Sequence, residues 1–155
     1  EVREELAWGD EPAPPLAAWL REEQVDVRPL AAGGLTLIAR RSDARGGAIA
    51  VDASSGAAPF RYATALGHLL LDGDGLAIDG AAESSPAAAR ARAFAAMLLL
   101  PDGAARAATQ NGPFGLVDAR ALAARSSLSV LATVQHLENR GFLSPEARTA
   151  LDLFA

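Results

Sequence analysis

The amino-acid sequence predicts an α+β domain in which a small antiparallel or mixed three-stranded sheet packs on helices and a helical segment follows. Three observations support this fold class. Short apolar stretches between residues 25 and 52 alternate in the way typical of strands. Two longer stretches between residues 59 and 101 are bounded by the prolines and glycines that begin and end helices. Beyond Pro113, only helical patterns are found.

The first half of the chain predicts a lead-in, one helix and three strands. Residues 1–15 combine acidic residues with a proline cluster, a composition that suits a linker or a solvated lead-in. Pro14 and Pro15 fit the first turn of a helix that we expect to end near Glu23. A polar, glycine-rich turn region separates the last two of the strands, which are predicted at 25–30, 35–40 and 47–52.

The second half predicts helices with well-marked ends. One begins near Pro59 and ends at the glycines of segment 72–75. The next has a side-chain cap at Ser85, a proline in its first turn and Pro101 at its end. Further helices are predicted at 117–125, at 129–140 and from Ser144 onward. The chain therefore divides into a lead-in at 1–15, a core at 16–112 and a helix-turn-helix-like subdomain at 113–155.

Composition limits the functions that this fold can have. Half of the 155 residues are hydrophobic, enough to bury a core. The net charge of −5 disfavours a broad phosphate-binding surface, so we expect no direct nucleic acid contact by this segment. The absence of cysteine excludes disulfides and thiolate metal sites. No apolar stretch is long enough to cross a membrane, and we therefore expect a cytoplasmic protein without membrane contact.

The predicted helix at 60–71 contains a metallopeptidase-like pattern without its reactive groups. In zinc peptidases of this type, His-Glu-x-x-His places two imidazoles on one helix face around Zn²⁺, and the Glu activates the metal-bound water. Here the same positions read Thr64-Ala65-Leu66-Gly67-His68. One ligand is replaced by Thr64 and the base by Ala65, so only His68 remains.

The residues around these positions resemble the ImmA/IrrE family of zinc metallopeptidases. That family's helix reads Phe-x-x-Ala-His-Glu-Leu-Gly-His before a leucine run, and the matching residues here are Phe60, Ala63, Leu66, Gly67, His68, Leu69, Leu70 and Leu71. A second family helix carries the third zinc ligand, a Glu, before Ala-Asn-x-Phe-Ala-Ala-x-Leu-Leu-x-Pro. Segment 90–101 follows most of that pattern, but Arg90 stands at the ligand position and Arg92 at that of the asparagine. The resemblance extends from about Pro14 to Pro145.

The resemblance implies a zincin-like core with a degenerate site at Thr64, Ala65, His68 and Arg90. We expect no catalysis, no bound metal and no cofactor, because the ligands and the base are replaced. The implied role is transcriptional regulation through binding of a regulator or repressor protein, or of a small anionic ligand. Family members often carry an upstream helix-turn-helix domain, and homodimerisation remains open.

Several alternatives remain open from the sequence. His68 could belong to a rearranged metal site with Asp72, Asp74 and Glu83, which would make the protein an active metal-dependent peptidase. Segment 72–75 resembles a calcium-loop fragment but lacks the remaining ligands, so a turn is expected. Arg90 could pair with a nearby carboxylate, or could form an anion pocket with Thr64 and His68.

The two helices predicted around residues 126–129 could form a DNA-binding helix-turn-helix or a packed helical hairpin. A recognition helix presents polar and basic side chains in its N-terminal half. Residues 129–134 are largely apolar. The sequence therefore favours a packed hairpin.

Overall fold

The computed structural model describes residues 2–31, 35–42, 46–54, 57–72, 75–80, 84–110 and 112–151. These residues form a mixed α+β structure, as predicted. The helices are α1 (Val2–Glu5), α2 (Leu16–Glu22), α3 (Ala58–Leu71), α4 (Pro86–Leu99), α5 (Asp102–Thr109), α6 (Leu116–Ser126), α7 (Val130–Asn139) and α8 (Pro145–Ala150). The strands are β1 (Asp26–Pro29), β2 (Leu35–Ser42), β3 (Gly46–Val51) and β4 (Gly75–Gly80).

The chain separates into two compact units that differ from the division predicted from sequence. Pro14–Ala95 forms one unit, here called the sheet unit. The other, the helical unit, joins Glu1–Ala13 to Ala96–Ala155. No helix in the described part of the chain is long and apolar enough to cross a membrane.

The sheet has four strands in the described residues, in the order β1-β3-β2-β4, so the expectation of three strands was wrong. β1 runs parallel to β3, whereas β2 is antiparallel to both β3 and β4, and the sheet is therefore mixed. The additional strand is β4, which includes Gly75 of the segment that was expected to form only a turn. Residues 43–45 of the predicted turn between β2 and β3 lie outside the described residues.

Helix α3 is the centre of the sheet unit. Every residue from Tyr62 to Leu69 is buried, and the helix lies on β2 and β3. Buried strand residues Ala39, Ile49 and Val51 belong to the same core. A helical segment that is buried on all sides is expected to be largely apolar, which fits residues 62–69, where Thr64 and His68 are the buried polar residues.

The crossing of α3 and α4 depends on a glycine. A Cβ atom at Gly67 would lie 3.0 Å from both the Cα and the carbonyl oxygen of Ala91 and 3.1 Å from a ring carbon of Phe94. Glycine therefore allows the backbones of the two helices to approach closely. Gly67 lies in segment 60–71, and Ala91 and Phe94 lie in segment 90–101.

In the helical unit, the segment predicted as a solvated lead-in is packed around Arg3. The Arg3 side chain is buried and donates hydrogen bonds to the carbonyl oxygens of Gly9, Glu11 and Leu98. Its guanidinium also lies 5.7 Å from the Trp8 ring centroid. Leu98 belongs to the last turn of α4, where carbonyl groups lack partners within the helix. The arginine thus caps α4, which composition alone did not indicate.

Helices α6 and α7 form a packed hairpin. Ser127 ends α6 in the left-handed conformation, and Ser129 caps α7 through its side chain. The buried faces are largely apolar, with Leu122 and Ala123 on α6 and Val134 and Leu137 on α7. Leu131 is exposed in the N-terminal half of α7. Of residues 129–134, whose apolar character favoured packing, Thr133 and Val134 are buried.

We expect Gly67→Ala to lower the free energy of unfolding by about 1–3 kcal/mol, because its methyl group meets the backbone of Ala91 rather than a movable side chain. Gly103→Ala in α5 is the control, since the nearest atoms that the added methyl group meets there belong to the exposed carboxylate of Asp10, which can rotate away, and not to backbone. The free energy of unfolding of that variant should change by less than about 1 kcal/mol, because helix propensity favours alanine. Denaturant unfolding measures the free energy of unfolding of both variants. Equal effects of the two substitutions would contradict the close helix crossing.

Candidate functional site

The degenerate motif contributes to a site centred on the carboxylate of Asp72. Helical spacing of four residues puts Thr64, His68 and Asp72 along one face of α3 and its C-terminal end. His68 Nδ1 lies 2.5 Å from Asp72 Oδ2. From α4, an Arg90 guanidinium nitrogen donates to Asp72 Oδ1 at 2.9 Å. One carboxylate therefore joins His68 of α3 to Arg90 of α4.

The three groups differ in their exposure to solvent. The side chain of His68 is 4% exposed, that of Asp72 is 19% exposed, and that of Arg90 is 57% exposed. Partial burial raises the pKa of Asp72, but the hydrogen bonds and charges of His68 and Arg90 outweigh burial and lower the pKa below its usual range. Asp72 is therefore ionised at neutral pH, and it accepts hydrogen bonds from both neighbours.

The ionised carboxylate fixes the tautomer of His68. Because Asp72 accepts, Nδ1 carries the hydrogen, and in the neutral ring Nε2 has a free lone pair. Nε2 is buried and has no hydrogen-bond partner in the described part of the structure. An imidazole oriented by a carboxylate on one nitrogen is the arrangement by which many proteins orient a metal ligand.

Thr64 and Ala65 provide none of the groups that they replace. The Thr64 hydroxyl donates to the carbonyl oxygen of Phe60 at 2.8 Å, within its own helix, and the residue is buried. Ala65 is fully buried and has no acid–base group. The site therefore contains no general base at the position of the motif glutamate, and the threonine hydroxyl is already bonded.

Among the described residues, no group of three histidine or acidic side chains could hold a metal ion. Of the rearranged site considered from sequence, His68 and Asp72 are in contact, whereas Asp74 and Glu83 lie outside the described residues. Gly73 and Asp74 of the calcium-loop fragment lie outside them as well. Asp72 binds Nδ1 and so acts as an orienting partner of the imidazole rather than as a second ligand beside it.

The structure brings His68 and Arg90 together, but through Asp72 rather than around an open space. Arg90 forms the ion pair with a nearby carboxylate that was one of its two predicted roles. An anion that approached Arg90 would also meet the ionised Asp72, and this disfavours the anion pocket. Sequence reasoning identified Asp72 only as a possible metal ligand. Its spacing of four residues from His68 was the available signal for the pairing.

Comparison of the sequence with protein-family models and with curated proteins finds no match.

We expect Asp72→Ala to destabilise the protein by about 1–3 kcal/mol, because it leaves the buried Nδ1 of His68 without an acceptor. Arg90→Ala should cost less than about 1 kcal/mol, because it removes an exposed partner of the same carboxylate. Thermal and denaturant unfolding measure the loss of stability in each of the two variants. A larger loss in Arg90→Ala would mean that the ion pair, and not the histidine bond, stabilises this site.

Proposed function

We propose that this chain is a catalytically inactive, ImmA/IrrE-like pseudo-metallopeptidase domain that acts in transcriptional regulation by binding a regulator or repressor protein. The observation that carries the proposal is the carboxylate of Asp72, which binds both His68 and Arg90 where a peptidase would hold its metal. The proposed setting is the cytoplasm, which the absence of cysteine in the sequence fits.

The electrostatics of the site support loss of hydrolysis. A zinc peptidase needs three protein ligands, an open coordination position and a base for the bound water. A guanidinium at the third position repels a divalent cation and cannot be deprotonated to relieve that repulsion. Ala65 cannot act as the base, and the Thr64 hydroxyl is bonded to Phe60.

The packing supports the proposed zincin-like core. Gly67 lies against Ala91 and Phe94 at the helix crossing, and these three residues are among those that match the family patterns. Three of the residues that depart from the patterns, Thr64, Ala65 and Arg90, stand where groups would bind metal or move protons, and Arg92 departs at an asparagine position. Such a distribution is expected where the scaffold is still needed and hydrolysis is not.

The same geometry favours a protein over a small anionic ligand as the partner. Arg90, the cation proposed to attract an anion, is paired with Asp72. The net charge of −5 also disfavours a polyanion as the partner. Binding of a protein does not require an unpaired cation at this site.

A metal-dependent peptidase is the second candidate, and one observation favours it. Nε2 of His68 is buried without a partner among the described residues, and Asp72 orients the ring as it would orient a ligand. This candidate needs further ligands from residues outside the described ranges, such as Asp74 or Glu83. Metal analysis distinguishes it from the first candidate.

We expect the purified protein to contain no stoichiometric transition metal and to gain no thermal stability from zinc. The triple variant Thr64→His, Ala65→Glu and Arg90→Glu should gain zinc-dependent stability, because it supplies three ligands and the base, and a ligand that binds only the folded state raises the melting temperature. Arg90→Glu alone is the control and should gain little. Melting curves with zinc and with a chelator measure the difference.

Stoichiometric metal in the unmodified protein, together with chelator-sensitive cleavage of a repressor-like protein, would overturn the proposal in favour of the second candidate. A triple variant that binds zinc without hydrolysing peptides would remain consistent with it, because the cleft need only retain the positions of the ligands.

A further inference from the structure

The second histidine of the chain occupies a separate cluster in the helical unit. His136 Nε2 donates to the carbonyl oxygen of Leu100 at 3.0 Å. One turn later, at the C-cap of α7, Arg140 binds the carboxylate of Asp102 through two guanidinium nitrogens. Leu100 and Asp102 flank Pro101, where α4 ends and α5 begins. His136 and Arg140 therefore hold α7 and its C-cap against the junction of α4 and α5, which we call the α4–α5 elbow.

A third contact joins the same elements. The guanidinium of Arg106 in α5 lies 5.5 Å from the centroid of the Phe142 ring, just beyond the end of α7. The backbone N–H of Phe142 donates to the carbonyl oxygen of Leu137 and so holds this segment against the helix. α5 is thus bound to α7 and its C-terminal extension through two arginines.

His136 lies in the core of the helical unit. The residue is 6% exposed, and Val134 and Leu137 beside it on α7 are fully buried. The bond to Leu100 needs hydrogen only on Nε2, so the neutral ring satisfies it. A second proton would create a buried cation, which costs several kcal/mol unless a partner compensates it.

The charged groups around the ring compensate such a cation only in part, because Asp102 attracts it whereas Arg140 repels it. Asp102 is already held by Arg140 and lies near Arg106, and these interactions keep its carboxylate ionised and occupied. The charged residues of α6, namely Asp118, Arg120 and Arg125, are exposed. On the α8 side, Arg148 is paired with Glu138.

We propose that His136 is an acid-sensitive latch: uptake of a proton by its imidazole releases α7 from the α4–α5 elbow and opens the helical unit locally. Opening lets the ring reach solvent and separates it from Arg140. The α6–α7 hairpin, with Leu131 exposed on it, is the surface that the latch controls. The inference is independent of the proposed pseudo-peptidase function.

The direction of the pH effect follows from the environment of the ring. Burial lowers the pKa of His136 below its ordinary value of 6.5, and Arg140 lowers it further, against the opposing effects of the Leu100 hydrogen bond and of Asp102. The opened state therefore binds a proton more readily than the closed state. The closed state is therefore most stable, relative to the opened state, above pH 6.5. This stability falls as the pH is lowered towards the pKa of His136 in the closed state.

Amide hydrogen exchange on the full chain tests the latch. Between pH 6.5 and the pKa of the closed state, protection factors in α5 and α7 should fall by up to about tenfold per pH unit, because opening takes up one proton. Protection in α3 of the sheet unit should change much less over the same range. Uniform loss of protection in α3, α5 and α7 would indicate global unfolding and would overturn the proposal.

His136→Gln should remove the pH dependence of amide protection in α5 and α7, because its amide N–H can donate to Leu100 but does not titrate. If protection in this variant still falls with pH, the latch proposal is wrong. His68→Gln changes the only other histidine and is the control, in which the pH dependence should persist. If His136→Gln does not fold, an NMR titration of the His136 ring in the unmodified protein tests the proposal instead. The titration of His136 must then coincide with the loss of α7 protection, and a ring that titrates while α7 stays protected would contradict the proposal.

Discussion

The burial of residues 62–69 of α3 is the constraint on which the sheet unit depends. A buried helical segment has no access to water, so each polar side chain on it needs a partner within the protein. Thr64 meets this requirement through the carbonyl oxygen of Phe60, and His68 meets it on one nitrogen through Asp72. Segment 64–68 can lie in this buried part of the helix because its polar groups, apart from Nε2 of His68, have hydrogen-bond partners among the described residues.

The same rule explains the polar groups buried in the helical unit. Arg3 binds three backbone carbonyls, one of them at the end of α4. Thr133 donates to the carbonyl oxygen of Ser129, and His136 donates to that of Leu100. In each case a backbone carbonyl is the acceptor, and for Arg3 and His136 that carbonyl lies where a helix ends. Helix ends supply unpaired carbonyls, and buried donors are placed against them.

The sequence predicted those elements whose limits depend on local chemistry. Proline and glycine marked both ends of α3 and α4 within a few residues, since their backbone preferences do not depend on the rest of the fold. β4 was missed because its six residues are bounded by glycines and become a strand through pairing with β2. α1 was missed because four residues do not form a stable helix alone, and its position depends on the distant contact of Arg3 with Leu98.

The candidate site likewise depends on one contact between residues close in the sequence and on another between residues far apart in it. The bond from His68 to Asp72 lies within one helical turn and follows from spacing in the sequence. The bond from Arg90 to the same carboxylate depends on how α4 crosses α3, and that crossing depends on the absence of a side chain at Gly67. In the proposed descent from a zinc site, loss of the metal would remove the partner of one nitrogen of the buried imidazole. Asp72 satisfies the other nitrogen, and Arg90 from α4 neutralises the carboxylate of Asp72. Nε2, which has no partner in the described structure, would then be the remaining cost of the proposed scaffold without its metal.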